Sequence, residues 1–323
     1  MSEYNNISWQ ADAEDELRNL GIENGDMIYI AASFREYLDL LPRVNDLIDA
    51  LVNVVGKRGT IIMPAYTRKF PMWQIYLGHD NFVFNKETTQ PNTGILPSLL
   101  MRNKSALRSN HPTNSIVCIG ARSREVTTVH NKLSGAYSIF TWLSKQNGKL
   151  LFLGTGDSLP ALRHEIQSRV GLLEKVPYWQ GVKYQDKDKI SIFRRKDVGG
   201  CITETKQMIR VLRSNDLISE GNFLKMDYHS IYAPKSVKHL IDDMRKNFSN
   251  YLCNDPLCSW CRYLERKEHV SETKKIGKGK TYPSNQVLKL LFDLFHYLHI
   301  KNVPYAHRVL VILTKISIPT RKN

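Results

Sequence analysis

Cysteine is scarce in this chain: five residues among 323, an odd number and too few to staple a fold of this size. That scarcity excludes a disulfide scaffold and predicts a reducing, cytoplasmic setting. Long apolar runs are missing too. No stretch reaches the roughly 20 residues that a membrane-spanning helix needs. The opening segment MSEYNNISWQADAEDE is polar and acidic, which predicts no secretion signal. Familiar nucleophile and phosphate motifs are absent, with neither a G-x-S-x-G elbow nor a G-x-x-x-x-G-K-[ST] loop. Paired zinc-finger spacing, an RNA-recognition aromatic pattern and basic-zipper heptads are also lacking, so no specific nucleic-acid partner is predicted.

Acidic residues are few relative to basic ones. Against 31 Asp and Glu stand 46 Lys and Arg, a net charge of +15. Such a surface suits anionic partners, namely nucleic acid, phosphorylated small molecules or an acidic membrane face, and equally a merely solvated basic surface. The apolar fraction of 42% is ordinary for a globular chain, and 323 residues suffice for one large domain or two smaller ones.

Apolar runs bounded by glycine alternate with helical periods. A helix ending near Gly21 leads through an Asn24-Gly25 turn into a buried strand, Met27–Ala32. Helical spacing over 45–55 precedes a second strand, TIIMPAY. Residues 67–92 show no period and read as a long loop, which in a compact domain usually carries function. A helix over 94–103, the strand SIVCIG, helices over 123–130 and 139–146, the strand KLLFLGTG and a helix starting near Pro160 follow. The alternation predicts a layered α/β domain whose ligands bind beyond the carboxyl ends of its strands, here AASF, PAYT and GTGD. From about residue 250 the texture changes, so domains of 1–250 and 251–323 are expected.

Two stretches carry candidate chemistry. His164, in GTGDSLPALRHEIQ, falls in the first turns of a helix beyond a strand end. With an ordinary pKa of about 6.5 an imidazole there suits a general base, though a histidine packed at a helix–sheet junction fits the same position. In RSNHPTNSIVCIG, Pro112 holds His111 extended, making a stiff elbow that leads into a strand. Such an elbow is either a simple turn or a loop that presents backbone N–H groups and the Ser115 hydroxyl to a ligand. Cys118, within the strand, reads as inert core.

Taken together, GDMIYIAASF, GTIIMPAYT, TGILPSLLMRNKSALRSNHPTNSIVCIG and LLFLGTGDSLPALRHEIQ resemble the aminoglycoside 3-N-acetyltransferase family, in its order and spacing, over about residues 14–247. The resemblance implies a layered α/β/α sandwich of that type, here with a C-terminal helical extension. It also implies direct acetyl transfer from acetyl-CoA to an amine. The family's catalytic histidine falls on His164. Its coenzyme-binding positions fall on Ser33, Phe34, Arg108, Ser109, His111 and Ser115. This sequence departs from the pattern at Ala31-Ala32-Ser33, where the family has His-Ser-Ser, and at Gln167, where it has Glu, which leaves the carboxylate partner of His164 unassigned. Because a polycationic drug suits a basic chain poorly, the charge favours an amino sugar carried on a nucleotide or a lipid diphosphate, in surface-polysaccharide assembly. An aminoglycoside acceptor is the alternative. A non-catalytic coenzyme- or polyanion-binding protein at a membrane is the reading from another class.

The C-terminal region adds two expectations. Cys253, Cys258 and Cys261, spaced C-x4-C-x2-C with His269 beyond, could hold a tetrahedral zinc, or could be reduced, partly buried thiols. Over residues 284–323, Val287, Leu290, Leu291, Leu294, Phe295 and Leu298 form an apolar stripe among basic flanks. That stripe could lie in a lipid headgroup plane, or dock on the α/β body or on a second copy in a homodimer.

Overall fold

The structure is a computed structural model. It describes residues 3–265, apart from 77, 79–80, 173–178, 197–199, 256–257, 259 and 262–263, together with Leu291. His269 and, but for Leu291, the stripe over 284–323 lie outside the described residues. Two compact units emerge. The first comprises Met1–Arg68, Asn85–Ile166 and Thr205–Lys246; the second comprises Lys69–Phe84, Gln167–Glu204 and the chain from Asn247. The division runs differently from the expected boundary near residue 250, because each unit gathers separate stretches of chain.

The first unit is built on a seven-stranded mixed sheet. Its strands are β1 (Met27–Ala32), β2 (Thr60–Pro64), β5 (Leu107–Arg108), β6 (Ile116–Gly120), β7 (Lys149–Leu153), β10 (Ser219–Phe223) and β11 (Met226–Tyr232), in the order β10-β11-β7-β1-β2-β6-β5. Strand β1 sits between β7 and β2 and is parallel to both, while the outer pairings are antiparallel. Central strands of this kind are buried on both faces, which explains why MIYIAA and KLLFL read as near-continuous apolar runs.

Alternation along β1 sends Ile28 and Ile30 to one face and Tyr29 to the other. On the first face they meet Ile61, Met63, Leu151 and Leu153, together with Ala13 and Leu17 of α1 (Glu3–Asn19), Leu47 and Leu51 of α2 (Val44–Val55) and Leu96 and Leu100 of α4 (Ile95–Leu100). On the second face, Tyr29 packs against Phe140 of α6 (Ile139–Lys145), with ring centroids 4.7 Å apart. Helix α6 in turn packs against α9 (Ala233–Lys246). Helices on both faces make this the expected layered α/β fold.

In the second unit a four-stranded sheet forms from β3 (Phe70–Pro71), β4 (Val83–Phe84), β8 (Trp179–Asp186) and β9 (Lys189–Lys196). The stretch 67–92, expected as an unstructured loop, therefore contributes two short strands and a helix, α3 (Met72–Tyr76), between them. Two-residue strands leave no periodicity to read; their partner β8 supplies the order. Among the described residues, Phe84, Val182 and Tyr184 form an apolar cluster in this unit, with Phe82 and Phe193 against them. Among the described residues, no helix is long and apolar enough to cross a membrane.

Candidate active site

Because β1, β2 and β7 run in parallel, their carboxyl ends at Ala32, Pro64 and Leu153 reach the same edge of the sheet. Strand β6 runs antiparallel to β2 and pairs Ile116 with Pro64, so the elbow that precedes it arrives at that edge too. Likewise β11 pairs Tyr228 with Leu153, which brings Asp227 there. Topology alone thus converges the strand ends and the elbow that the sequence singled out.

The loops at this edge are tied to one another. The Ser33 amide donates to the Leu153 carbonyl at 2.9 Å, and the Gly154 amide to the Asp227 carbonyl at 2.7 Å. The Asp227 carboxylate accepts the Tyr37 hydroxyl at 2.7 Å and the Gly156 amide at 2.9 Å, bracing the loop after β1 against the loop after β7. That hydrogen bond raises the Tyr37 phenol above its usual range. Gly154 has φ 61°, and a Cβ there would lie 2.3 Å from the Ser33 carbonyl, so only glycine lets these loops meet. Ser33 is half-buried at the edge, whereas Phe34 turns inward and joins the hydrophobic core. The expectation for Phe34 is corrected to that extent: its side chain packs the sheet and is not displayed to a ligand.

Within the elbow every predicted side chain is buried and engaged. Arg108 donates from Nε to Ser115 Oγ at 2.9 Å and from Nη2 to the Ala65 carbonyl at 2.8 Å. Its Nη1 donates to the Thr89 carbonyl. Burial pushes this guanidinium down only to about 10, so it remains a cation at neutral pH. Ser115 also donates to Ala65 O at 2.6 Å, and Thr67 Oγ1 donates to Pro112 O at 2.6 Å, which fastens the elbow to the end of β2. His111 accepts the Asn114 amide at Nδ1, 3.0 Å away, and its ring stacks on that of His130 at 5.3 Å.

His130 itself is fully buried, and burial drives its pKa down to about 4. Its Nε2 faces the Ala136 carbonyl at 3.4 Å and its Nδ1 faces Ser109 Oγ at 3.0 Å. A carbonyl can only accept, so Nε2 holds the proton and Ser109 donates to Nδ1. The Ile116 amide then donates to Ser109 Oγ at 3.0 Å, completing the chain. Arg108, Ser109, His111 and Ser115 therefore shape the elbow from inside. Whatever the elbow offers a ligand comes from the contour they impose.

His164 stands in a different environment. It occupies the first turn of α7 (Leu162–Arg169), after the loop that leaves β7, and is half-buried. Its ring stacks on Tyr137 at 4.9 Å, and Tyr137 meets Tyr66, just past the end of β2, edge-on at 6.0 Å. The Tyr66 hydroxyl lies 3.4 Å from that of buried Tyr29 in the middle of the sheet. A ladder of aromatic rings thus connects His164 to the carboxyl edge. The Arg163 Nε–H faces His164 Nε2 at 3.5 Å, a long contact in which Nε2 is the accepting nitrogen. Ala161, whose carbonyl receives the His164 amide, has φ 68°, a strained left-handed conformation for a residue with a side chain.

Two neighbours on α7 have other employment. Glu165 is buried and accepts the Thr141 hydroxyl of α6. Gln167, fully buried, donates to Glu204 at 2.7 Å. Sequence reasoning missed Tyr37, Tyr137 and Asp227, which have no motif around them and act across long separations. Cys118 is buried in β6, where desolvation pushes its thiol up to about 12, as suits a thiol packed in the core.

Cys253, Cys258 and Cys261 come together in the second unit, as their spacing suggested. A fourth thiol completes the group: Cys201, just ahead of α8 (Ile202–Arg213), with all four sulfurs within 4.8 Å of one another. His269, expected as the fourth member, lies outside the described residues. Cys201, far from the others in sequence, joins the three expected thiols.

The aminoglycoside 3-N-acetyltransferase family matches residues 30–245. Aminoglycoside N(3)-acetyltransferase IX of Micromonospora chalcea is 26% identical over 163 residues, 46% of this chain and 58% of that protein. The chain thus spans less than two thirds of this relative's length. Among solved structures, apo aminoglycoside acetyltransferase AAC(3)-IVa superposes with a TM-score of 0.64 at 20% identity, covering 80% of this chain and 96% of that one. The AAC-IIIb binary complex with CoASH gives 0.59 at 20% identity, covering 73% and 96%. The match takes in β2, the elbow, β7 and His164 in one continuous stretch, and the chain belongs to the aminoglycoside 3-N-acetyltransferase family.

Proposed function

We propose that this protein is an acetyl-CoA-dependent N-acetyltransferase that acts on an amine of an amino sugar, with His164 as general base. The observation that carries the reading is His164 itself. It is half-buried, joined to the carboxyl edge of the sheet by Tyr137, and lies inside the stretch matched by the family. An ammonium has no lone pair with which to attack a thioester. His164 takes the amine's proton as nitrogen adds to the acetyl carbonyl. The C–N bond forms, the C–S bond breaks, and coenzyme A leaves as a thiolate that regains a proton. Ser33 and the contour of the elbow hold the donor; Arg108, Ser109, His111 and Ser115 serve by fixing that contour.

For the acceptor, the relatives' names favour an aminoglycoside. A second reading rests on one observation, the net charge of +15, which suits an anionic, carrier-linked amino sugar better than a polycation. Thiol release from acetyl-CoA tests both readings, with aminoglycosides, free amino sugars and nucleotide- or lipid-linked amino sugars as acceptors. Amine-dependent release is expected, and the preferred class identifies the acceptor. Absence of release with every amine, in a protein that binds coenzyme A, overturns the enzymatic reading.

A further inference from the structure

The four-cysteine group in the second unit asks for an explanation that acetyl transfer does not supply. Cys201 comes from the start of α8, Cys253 follows the 3-10 turn Phe248–Tyr251, and Cys258 and Cys261 lie beyond it. None of the four is in a disulfide, and every pair of sulfurs falls within 4.8 Å. A mononuclear tetrahedral centre with metal–sulfur bonds of about 2.3 Å sets its sulfurs about 3.8 Å apart, so closure needs shifts of no more than about 1 Å. Iron–sulfur clusters spread their cysteines over several irons and need a wider cage.

The surroundings agree with a ligand set. Cys261 is fully buried, Tyr251 and Leu264 are buried beside it in sequence, and the other three thiols are half-buried. The Cys253 amide donates to Cys261 Sγ at 3.3 Å, the kind of outer bond that orients and steadies a metal-bound thiolate. A turn closed by the Cys258 amide on the Asp255 carbonyl at 3.1 Å brings Cys258 back toward Cys253. Neutral thiols gain little from such crowding, and four thiolates repel one another. A dication at the centre reverses that balance.

We infer that Cys201, Cys253, Cys258 and Cys261 form a structural zinc site, with Cys201 as the fourth ligand. Four protein ligands leave no open position for water or substrate, so the metal's work is mechanical. It fastens the segment around Cys201 to the segment 253–261, two stretches far apart in sequence.

The full-length protein, purified without chelator, is expected to contain about one zinc per chain. X-ray absorption on it should show four sulfurs at about 2.3 Å, and cobalt in place of zinc should give the intense visible bands of a tetrahedral thiolate site. Cys201→Ser should weaken zinc binding by more than about 100-fold, Cys201→His should restore binding with three sulfurs and one nitrogen, and Cys118→Ala should leave zinc content unchanged. A folded, metal-free protein with four reactive thiols, or with disulfides among them, overturns the proposal. Native zinc bound by three sulfurs and one nitrogen removes Cys201 from the ligand set. Because these readouts do not use acetyl transfer, they are independent of the proposed enzymatic activity.

Discussion

The elbow at 108–115 and the loop at 154–164 reach the same edge of the same sheet, yet they are constructed in opposite ways. In the elbow, a buried guanidinium, two serines and two stacked imidazoles bond to one another and to the carbonyls of neighbouring loops. The second loop is held by glycines, by a strained Ala161 and by one aspartate from another strand, and it delivers a half-buried histidine. The contrast separates form from chemistry. Polar side chains bonded to one another inside the protein define a shape, whereas the second loop leads to a half-buried histidine with one face packed on an aromatic ring.

Substituting across this divide should break function on one side and stability on the other. The largest effect is expected from His164→Ala. Acetyl transfer should fall by about 10²–10⁴-fold, while unfolding free energy changes by less than about 1 kcal/mol. Steady-state kinetics beside urea denaturation decide it; wild-type turnover removes His164 from the mechanism.

On the elbow side, Arg108→Ala strips donors from Ser115 and from the Ala65 and Thr89 carbonyls. A loss of more than about 3 kcal/mol is expected in urea titration. A variant as stable as the parent would mean that the buried cation does not hold the elbow.

The pH dependence sharpens the same contrast through His130. Its pKa is about 4 when folded, against about 6.5 unfolded, so between those values the unfolded chain binds the extra proton. Stability contributed by neutral His130 is therefore complete above pH about 6.5. It declines as pH falls and is lost by about pH 4, roughly 3 kcal/mol in all. Replacing His130 with Gln should flatten that part of the stability curve. An unchanged slope would assign the acid sensitivity to other groups.

The smallest effect concerns Ala161. Glycine accepts φ near 68° without strain, so Ala161→Gly should shift stability by less than about 1 kcal/mol. Turnover should drop several-fold as the start of α7 loosens and His164 is less well aimed. Unaltered turnover would show that α7, not its approach, fixes the imidazole.

Much of the first unit was legible because β1, β2, β6 and β7 are apolar runs with glycine punctuation, and burial on both faces leaves that mark. The placement of His164, at the start of the helix that follows the clearest of these strands, was legible for the same reason. The second unit was not, since β3 and β4 are two residues each and owe their existence to β8, which comes roughly a hundred residues later. Cys201 escaped notice because spacing arguments see only neighbours in sequence. Phe34 illustrates another limit. A residue just past a strand can turn toward the site or toward the core, and only the packing of α2 and its neighbours sent this one inward.

The discontinuity of the second unit has a consequence for the order in which the protein is made. Strands β3 and β4 leave the ribosome with nothing to pair with until Trp179–Asp186 has been synthesised, and Cys201 waits for Cys253–Cys261. The first unit's central strands, by contrast, are all present once Leu153 has emerged. During the interval, Phe82 and Phe84 lack Val182, Tyr184 and Phe193 to pack against. A chain stalled or cut before Phe193 therefore leaves this cluster open to aggregation and proteolysis.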